Sequence, residues 1–175
     1  ALKQLGAKII LKNGYIEASA KKLYGNQIRF EGVTVTGTEN LMMAATLAEG
    51  RTTLTNVAME PEIIDLAEML NSMGAKINGA GSNEIIIDGV ESLHGSEYFI
   101  PSDRIEAGTY LAAAAVTNGN ITVEGINPKR LMKVIYKLGD AGADIKYDKN
   151  SISISMNKDR PRPVDITTAP FPEFP

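Results

Sequence analysis

The residues of this chain that could bind or move charge stand at predicted helix starts. In the stretch Val33–Gly50 (VTVTGTENLMMAATLAEG), β-branched residues run directly into apolar residues at helical spacing. We predict a strand over Val33–Thr36 and a helix that Thr38 caps. A strand leading into a helix start presents backbone N–H groups and the positive end of the helix dipole. Thr34 and Thr36 could therefore bind an anion such as phosphate, although an ordinary turn without a ligand would have the same pattern.

Charged residues stand at two further predicted helix starts. Residues 103–106 (DRIE) precede a strongly apolar helical stretch, and Glu60 precedes Pro61. Carboxylates at such positions usually cap the helix or offset its dipole, so a structural interpretation stands beside a functional one. His94 has no second histidine or carboxylate at metal-ligand spacing, so no metal site is predicted.

Composition limits the classes of protein to consider. The chain has 175 residues, 43% of them hydrophobic, with 18 Lys and Arg against 21 Asp and Glu, giving a net charge of -3. A basic run of five residues is lacking, so binding to nucleic acid or to an anionic membrane is not expected. The chain contains no cysteine, which excludes disulfides and thiolate metal sites within it and fits a cytoplasmic setting.

The sequence repeats a pattern of helix end, glycine and strand. LGAKI at 5–9, MGAKI at 73–77 and AGADI at 141–145 place the glycine at equal intervals of 68 residues. A second match pairs AATLAEGRTTLTNV at 44–57 with AAAVTNGNITVEGI at 113–126. Two independent matches predict a duplicated structural unit.

Helix and strand signals within each unit predict an α+β fold. Pro61 and Gly74 mark the ends of an amphipathic helix, and Asn127, Pro128 and Gly142 mark a second one. A strand pair follows each glycine stop: Lys8–Leu11 with Tyr15–Ala18, Lys76–Asn78 with Glu84–Asp88, and Asp144–Tyr147 with Ser151–Ser155. We expect mixed sheets with helices packed against them.

Pro101 interrupts a strand pattern and marks the predicted domain boundary, between residues 1–100 and 101–175. From Arg160 onward prolines accumulate, and regular structure is expected to stop. The first residues, ALKQLG, read as the last turn of a helix, so we expect the chain to be an internal segment of a longer protein.

Five strings carry a resemblance to a known family: TGTENLMMAATLAEG, EPEIIDLAEMLNSMGAKI, IDGVESLHG, IPSDRIEAGTYLAAAA and APFPEFP. Together they resemble the enolpyruvyl transferases, and the DRIEAGT and APFPEFP strings resemble the branch that acts on UDP-N-acetylglucosamine. The resemblance implies transfer of the enolpyruvyl group of phosphoenolpyruvate to the sugar 3-hydroxyl, with release of phosphate and without a cofactor. It also implies two domains of repeated βαβαββ units, of the inside-out α/β barrel type, with the active site between them.

The resemblance also implies roles for residues of this chain. The loop that contacts the nucleotide diphosphate in the family aligns with Gly32, Val33, Thr34 and Val35, followed by Thr36; some members have a lysine where this chain has Gly32. Glu60, Asp103 and Arg104 align with charged residues of the interdomain cleft, where we expect them to position substrate or relay protons.

The family's catalytic cysteine loop is not in this chain, so residues 1–100 should be the second part of the domain that carries it. Residues 101–175 should then be the first part of the other domain. The chain alone should be inactive and should need the remainder of the polypeptide as its partner.

Two alternatives stay open at this point. A sister enzyme that acts on shikimate 3-phosphate would have the same fold, although the DRIEAGT string disfavours it. A non-catalytic repeat module that binds a partner through its helices would also explain the duplication. Both alternatives differ from the main interpretation in the ligand that the chain binds.

Overall fold

A computed structural model describes residues 1–157 and 160–174. The chain divides into two compact units, Ala1–Phe99 (unit 1) and Ile100–Pro175 (unit 2). Which domain of the family each unit belongs to stays a prediction. None of the helices in the described ranges is long and apolar enough to cross a bilayer.

Unit 1 contains a hairpin and a mixed four-stranded sheet. Its elements are β1 (Lys8–Lys12), β2 (Tyr15–Ser19), β3 (Gln27–Arg29), α1 (Val35–Thr46), β4 (Arg51–Thr55), α2 (Pro61–Ser72), β5 (Lys76–Asn78) and β6 (Glu84–Asp88). Strands β1 and β2 pair with each other, and the larger sheet has the order β3-β4-β6-β5. Within it β3 and β4 are parallel, whereas the other pairs are antiparallel. The predicted mixed sheet is therefore confirmed.

Unit 2 repeats this arrangement with fewer strands. Its elements are α3 (Arg104–Val116), β7 (Asn120–Glu124), a 3-10 turn (Pro128–Arg130), α4 (Met132–Asp140), β8 (Asp144–Tyr147) and β9 (Ser151–Ser155). The sheet has the antiparallel order β7-β9-β8. Asn127 accepts a bond from the Lys129 N–H, as a cap of the 3-10 turn rather than of one continuous helix.

The repeated glycines have the same backbone conformation in all copies. Gly6, Gly74 and Gly142 have φ values of 97°, 100° and 103°, which side chains with a Cβ rarely adopt. In each copy the next residue's N–H bonds to a carbonyl five positions earlier, which is the Schellman ending of a helical turn; the donors are Ala7, Ala75 and Ala143. The duplicated stop signal therefore builds the same local structure three times.

Each unit has its own apolar core between sheet and helices. Alternate residues of β4 and β6 are buried, so Leu54, Ile85 and Ile87 face α1 and α2 across one layer. In unit 2, Ile152 and Ile154 of β9 face Leu111 of α3 in the same way. The period-2 burial follows from strand geometry, and on the opposite face β4 carries the polar residues Arg51, Thr53 and Thr55.

The predicted strand over Val33–Thr36 is wrong, because Val35 already belongs to α1. Local β propensity favoured a strand, but the hydroxyl of Thr34 bonds the first helical turn and starts the helix earlier. Thr38 consequently lies inside the first turn and is not the cap. The tail lacks helices and strands over 160–174 apart from a bridge between Thr168 and Phe174.

Candidate functional site

Thr34 caps α1. Its backbone is extended (φ −145°, ψ 123°), and its Oγ1 accepts a bond from the Gly37 N–H at 3.2 Å. The N–H groups of Val35 and Thr36 precede the first intrahelical bond, so helix geometry leaves them directed out of the N-terminus. The positive end of the helix dipole lies at the same place. The residues predicted to contact a diphosphate thus include one complete helix start, preceded by the exposed Gly32 and Val33.

Gly37 provides the space that this cap needs. A Cβ at this position would lie 2.4 Å from Cγ2 of Thr34 and 3.2 Å from Cε1 of Phe30. Both distances are shorter than ordinary van der Waals contact, so any larger residue would displace the Thr34 side chain. The glycine is therefore explained by close packing under the cap.

Thr38 joins the start of α1 to the segment before α2. Its side chain is fully buried, and its Oγ1 donates to the Thr34 carbonyl at 2.7 Å. The same oxygen accepts a bond from the Ala58 N–H at 3.1 Å. One hydroxyl thereby satisfies a helix-start carbonyl and an amide of the next loop.

The starts of α1 and α2 lie at one edge of the unit 1 sheet. Strands β3 and β4 are parallel, so their carboxyl ends meet there and lead into the two helices. The Phe30 N–H donates to the Thr55 carbonyl at 3.0 Å, and Asn56 Nδ2 donates to the Phe30 carbonyl at 2.8 Å. We call this place, residues 30–38 with 55–63, the β3/β4 edge.

Glu60 lies at the β3/β4 edge, directly before α2. It is 7% exposed, and its side chain makes no capping bond although its carbonyl accepts the Ile63 N–H at 3.0 Å. Within the described part of the chain, Oε2 of Glu60 is buried and has no hydrogen-bond partner. A buried carboxylate oxygen without a donor is costly, so this atom has capacity for a donor from a ligand.

Asp103 caps α3 in unit 2, at the position that Thr34 holds in unit 1. Its Oδ1 accepts bonds from the N–H groups of Ile105 at 2.7 Å and Glu106 at 3.2 Å. Since both bonds use Oδ1, Oδ2 retains its lone pairs for another donor. The structural interpretation of this carboxylate as a cap is confirmed, and a second role stays a prediction.

Arg104 directs its guanidinium inward, although it is the first residue of α3. It is 8% exposed, and its guanidinium carbon lies 5.4 Å from the centre of the Phe171 ring. A guanidinium over an aromatic face at this distance is a cation–π contact. Arg104 therefore helps to hold the turn over residues 168–174 against the start of α3.

The carboxylates whose pKa values the structure shifts, Asp88 and Asp148, lie away from these helix starts. A bidentate bond from Arg51, at 2.7 and 2.9 Å, lowers the pKa of Asp88, and the same bond raises the pKa of Arg51. The pKa of Asp148 is lowered, first by the backbone N–H of Asn150 and then by Ser151. Both carboxylates organise strands and turns.

Sequence reasoning predicted candidate residues at the starts of α1, α2 and α3, and that assignment stays a prediction; it missed two partners of these residues. It placed no role on Thr38 beyond a cap, and it did not predict that Phe171 would contact Arg104, 67 positions earlier. A threonine one turn into a helix is a weak signal for a buried link. For the aromatic contact the sequence offers no local signal.

Comparison with known proteins identifies relatives over the whole chain. The family model for EPSP synthase (3-phosphoshikimate 1-carboxyvinyltransferase) matches residues 1–175. Two curated relatives are UDP-N-acetylglucosamine 1-carboxyvinyltransferases, from Ruthia magnifica subsp. Calyptogena magnifica at 52% identity and Vesicomyosocius okutanii subsp. Calyptogena okutanii at 53%. Each match covers all 175 residues but 42% of the relative, so the chain spans less than half of their length.

Solved structures of similar fold include an enolpyruvyl transferase and an EPSP synthase. The enolpyruvyl transferase NikO of Streptomyces tendae superposes with a TM-score of 0.75 at 21% identity, over 88% of this chain and 40% of that one. An EPSP synthase of Acinetobacter baumannii superposes with a TM-score of 0.61 at 26% identity, over 87% of this chain and 37% of that one. The α+β fold with repeated units is thereby confirmed.

Proposed function

This chain belongs to the EPSP synthase family, and from that membership we propose that it is part of a transferase acting on UDP-N-acetylglucosamine. The observation that carries the proposal is identity: relatives named for UDP-N-acetylglucosamine share 52% and 53% of residues with the chain, about twice the 26% shared with an EPSP synthase. A substrate difference between sister enzymes depends on particular side chains, which high identity preserves.

The proposed reaction transfers an enolpyruvyl group from phosphoenolpyruvate. The sugar 3-hydroxyl oxygen forms a new bond to the substituted enol carbon, and the bond from that carbon to the phosphate oxygen breaks. In the net reaction the hydroxyl proton passes to the departing phosphate, so atoms balance without a cofactor. This reaction would be the first committed step of peptidoglycan synthesis and would take place in the cytoplasm.

The start of α1 is proposed to hold the diphosphate of the sugar nucleotide. Support comes from the Thr34 cap, the unbonded first N–H groups of Val35 and Thr36, and the dipole of a 12-residue helix. Gly32 supplies no charge here, so binding would rest on backbone N–H groups and on the hydroxyls of Thr34 and Thr36. Val33 would contribute its backbone.

Glu60 is proposed to position the substrate by accepting a hydrogen bond. An ionised carboxylate only accepts, so its unpartnered Oε2 suits a hydroxyl or amide N–H rather than a phosphate oxygen. It lies at the same edge as the Thr34 cap, so a ligand bound at the helix start could reach it. A positioning role fits these properties better than proton donation does.

Asp103 and Arg104 are proposed to support catalysis from unit 2. The carboxylate has one oxygen in the cap and one available, and the guanidinium braces the turn that contains Phe171. Their supporting role does not include the nucleophile or the principal acid. The remaining groups would come from the rest of the polypeptide, since this chain has no cysteine.

Phosphate release tests the proposal. The whole protein, supplied with phosphoenolpyruvate, should release phosphate with UDP-N-acetylglucosamine and at least about 100-fold more slowly with shikimate 3-phosphate, because unmatched polar groups in a site strongly reject a substrate. Faster release with shikimate 3-phosphate would contradict the proposal. The 175-residue chain alone should release no phosphate above background, and turnover by it would contradict the need for the remaining polypeptide.

A further inference from the structure

Some asparagines of the chain are exposed and directly followed by glycine, an arrangement that allows the side-chain amide to be lost. The pairs are Asn13–Gly14, Asn78–Gly79 and Asn118–Gly119. Glycine has no side chain to hinder attack of its own backbone nitrogen on the preceding amide. The attack also needs a nitrogen that is free of hydrogen bonds and a backbone that can rotate toward the amide. The structure distinguishes the pairs in both respects.

Gly119 is held by hydrogen bonds on both sides of its backbone. Its N–H donates to the Ala114 carbonyl at 2.8 Å, and its carbonyl accepts the Met156 N–H at 3.0 Å. The nitrogen that would attack Asn118 therefore already has a partner, and freeing it means opening the end of α3. These bonds protect Asn118 for as long as this region stays closed.

Asn78 is held by the sheet of unit 1. It pairs with Ile86 in the ladder of β5 and β6, and the neighbouring Ile77 is buried in the core. On the other side, the Gly79 carbonyl accepts the Ser82 N–H at 3.0 Å. Rotation of Asn78 toward the following nitrogen would break the ladder, so the sheet protects this second asparagine.

Asn13 and Gly14 lack both kinds of protection. They form the two-residue turn between β1 and β2, with φ values of 51° and 80°. Within residues 1–157 and 160–174, neither the Asn13 side chain nor the Gly14 N–H makes a hydrogen bond, and a Cβ built on Gly14 would meet no atom within 4 Å. The hairpin has two strands whose residues are mostly exposed, so it opens at a low free energy.

We infer that Asn13 is a site of spontaneous deamidation. The Gly14 backbone nitrogen bonds to Cγ of Asn13, the C–N bond of the side-chain amide breaks, and ammonia leaves with the proton of the attacking nitrogen. Water then adds to either carbonyl carbon of the resulting succinimide and breaks the bond from that carbon to the ring nitrogen. The products are aspartate and isoaspartate, formed without an oxidant or a reductant. The proposed transfer reaction uses no residue of β1 or β2, so the inference goes beyond it.

Deamidation at Asn13 changes the hairpin in two ways. Either product adds one negative charge at the turn. In isoaspartate the main chain also passes through the former side chain and gains one carbon atom. The pairing of Lys12 with Tyr15 depends on a turn of two residues in a fixed conformation. Isoaspartate therefore weakens the pairing of β1 with β2, whereas aspartate preserves the length of the turn.

The experiment follows the three asparagines in the whole protein. The protein is kept at neutral pH in 18O-labelled water and then digested, and mass spectrometry measures the label in each peptide. Label enters only during the incubation, so it excludes deamidation during digestion. The Asn13 peptide should convert at least about tenfold faster than the Asn78 and Asn118 peptides, because its hairpin opens more easily. Conversion of Asn78 or Asn118 as fast as that of Asn13 would overturn the inference.

Unfolding the protein supplies the reference for this comparison. In concentrated guanidinium chloride the three peptides should convert at rates within about threefold of one another, because the protecting hydrogen bonds are gone and only residual structure differs. The preference for Asn13 would then belong to the folded protein. An equally strong preference for Asn13 in the unfolded protein would overturn the structural basis of the inference.

A helix variant tests whether local hydrogen bonds select the site. Ala113 is exposed, and its carbonyl accepts the Thr117 N–H at 3.0 Å in the last turn of α3. Ala113→Gly should accelerate conversion of Asn118 about two- to fivefold, because glycine destabilises this helix end, and should leave Asn13 unchanged. Circular dichroism checks that the variant is folded. An unchanged rate at Asn118, or an equal rise at Asn13, would contradict selection by local structure and overturn the inference.

Discussion

The Oγ1 of Thr38 accepts a hydrogen bond from the backbone N–H of Ala58 at 3.1 Å, and both residues are fully buried. This bond connects the first turn of α1 with the segment that leads into α2. The positions of Thr34 and Glu60, on either side of it, therefore depend on one hydroxyl. Substitutions of Thr38, Thr34 and Glu60 therefore test the stability of unit 1 and ligand binding at the β3/β4 edge.

Replacing Thr38 by Val should destabilise unit 1. The change leaves the Ala58 N–H buried without an acceptor, which costs about 1–3 kcal/mol of the free energy of unfolding. Urea unfolding followed by circular dichroism measures the loss. Thr109→Val is the matched control, since the exposed Thr109 hydroxyl donates to the Ile105 carbonyl within α3, and should cost less than about 0.5 kcal/mol. Equal losses in both variants would argue against the buried link.

Replacing Thr34 by Val should weaken binding of UDP-N-acetylglucosamine to the whole protein about tenfold, or about 1.4 kcal/mol, if α1 holds the diphosphate. The variant keeps the shape of the side chain but removes the cap hydroxyl that accepts from Gly37. Calorimetric titration measures the affinity. Thr34→Ser retains the hydroxyl and should bind within about twofold of the unmodified protein. An unchanged affinity in Thr34→Val would remove the diphosphate role.

Replacing Glu60 by Gln should lower the activity of the whole protein while changing its stability little. The substitution keeps the shape but removes the negative charge at the start of α2, so stability should change by less than about 1 kcal/mol. In the whole protein we expect kcat/KM to fall at least about tenfold, since the acceptor for the substrate is altered. Glu68→Gln, exposed on the same helix, serves as control and should retain activity. Full activity in Glu60→Gln would leave only the dipole role.

Substitutions of Asp103 can separate its role as the cap of α3 from a role in the reaction. Asn caps helices about as well as Asp, so Asp103→Asn should preserve stability, whereas Asp103→Ala should lose about 1 kcal/mol. If Oδ2 also serves the reaction, Asp103→Asn should lower kcat in the whole protein while its thermal unfolding stays unchanged. A fully active Asp103→Asn protein would restrict this residue to capping.

Acid should weaken the strand pair that Arg51 and Asp88 join. The hydrogen bond from Arg51 lowers the pKa of Asp88, so the stabilisation is present above the unfolded pKa of about 3.9 and is lost as pH falls through the lower folded pKa. Asp88→Asn should therefore lose less stability than the unmodified chain between about pH 7 and about pH 2.5, measured as urea midpoints. Asp165→Asn, outside the sheets, is the control. Identical acid losses in all three proteins would refute this contribution.

The positions of proline and glycine in the sequence were sufficient to predict most of the helices and strands. Pro61 and the repeated glycines mark helix ends by backbone restrictions that act locally, so α2 and the strand pairs after each glycine lie close to where they were predicted. The start of α1 was missed because β-branched residues and a threonine cap give opposite local signals there. The outcome depended on a side-chain bond, from Gly37 to Thr34, that propensity does not describe.

The candidate site also contains local contacts that the sequence predicts and long-range contacts that it does not. Asp103 could be recognised as a cap because capping involves neighbours in sequence. The link from Thr38 to Ala58 and the contact of Arg104 with Phe171 join residues 20 and 67 positions apart, so only the folded chain brings them together. The roles of these residues in ligand binding depend, in addition, on molecules outside the chain, so local sequence signals predict them least well.

The two capped helix starts also indicate how duplication permits divergence. Thr34 and Asp103 occupy the same position in the repeat, and both satisfy the first turn of a helix. One copy does so with a neutral hydroxyl and the other with a carboxylate, so the same capping position carries a different charge in each unit. The capping position of this repeat can therefore change its charge while the helix that follows keeps its cap.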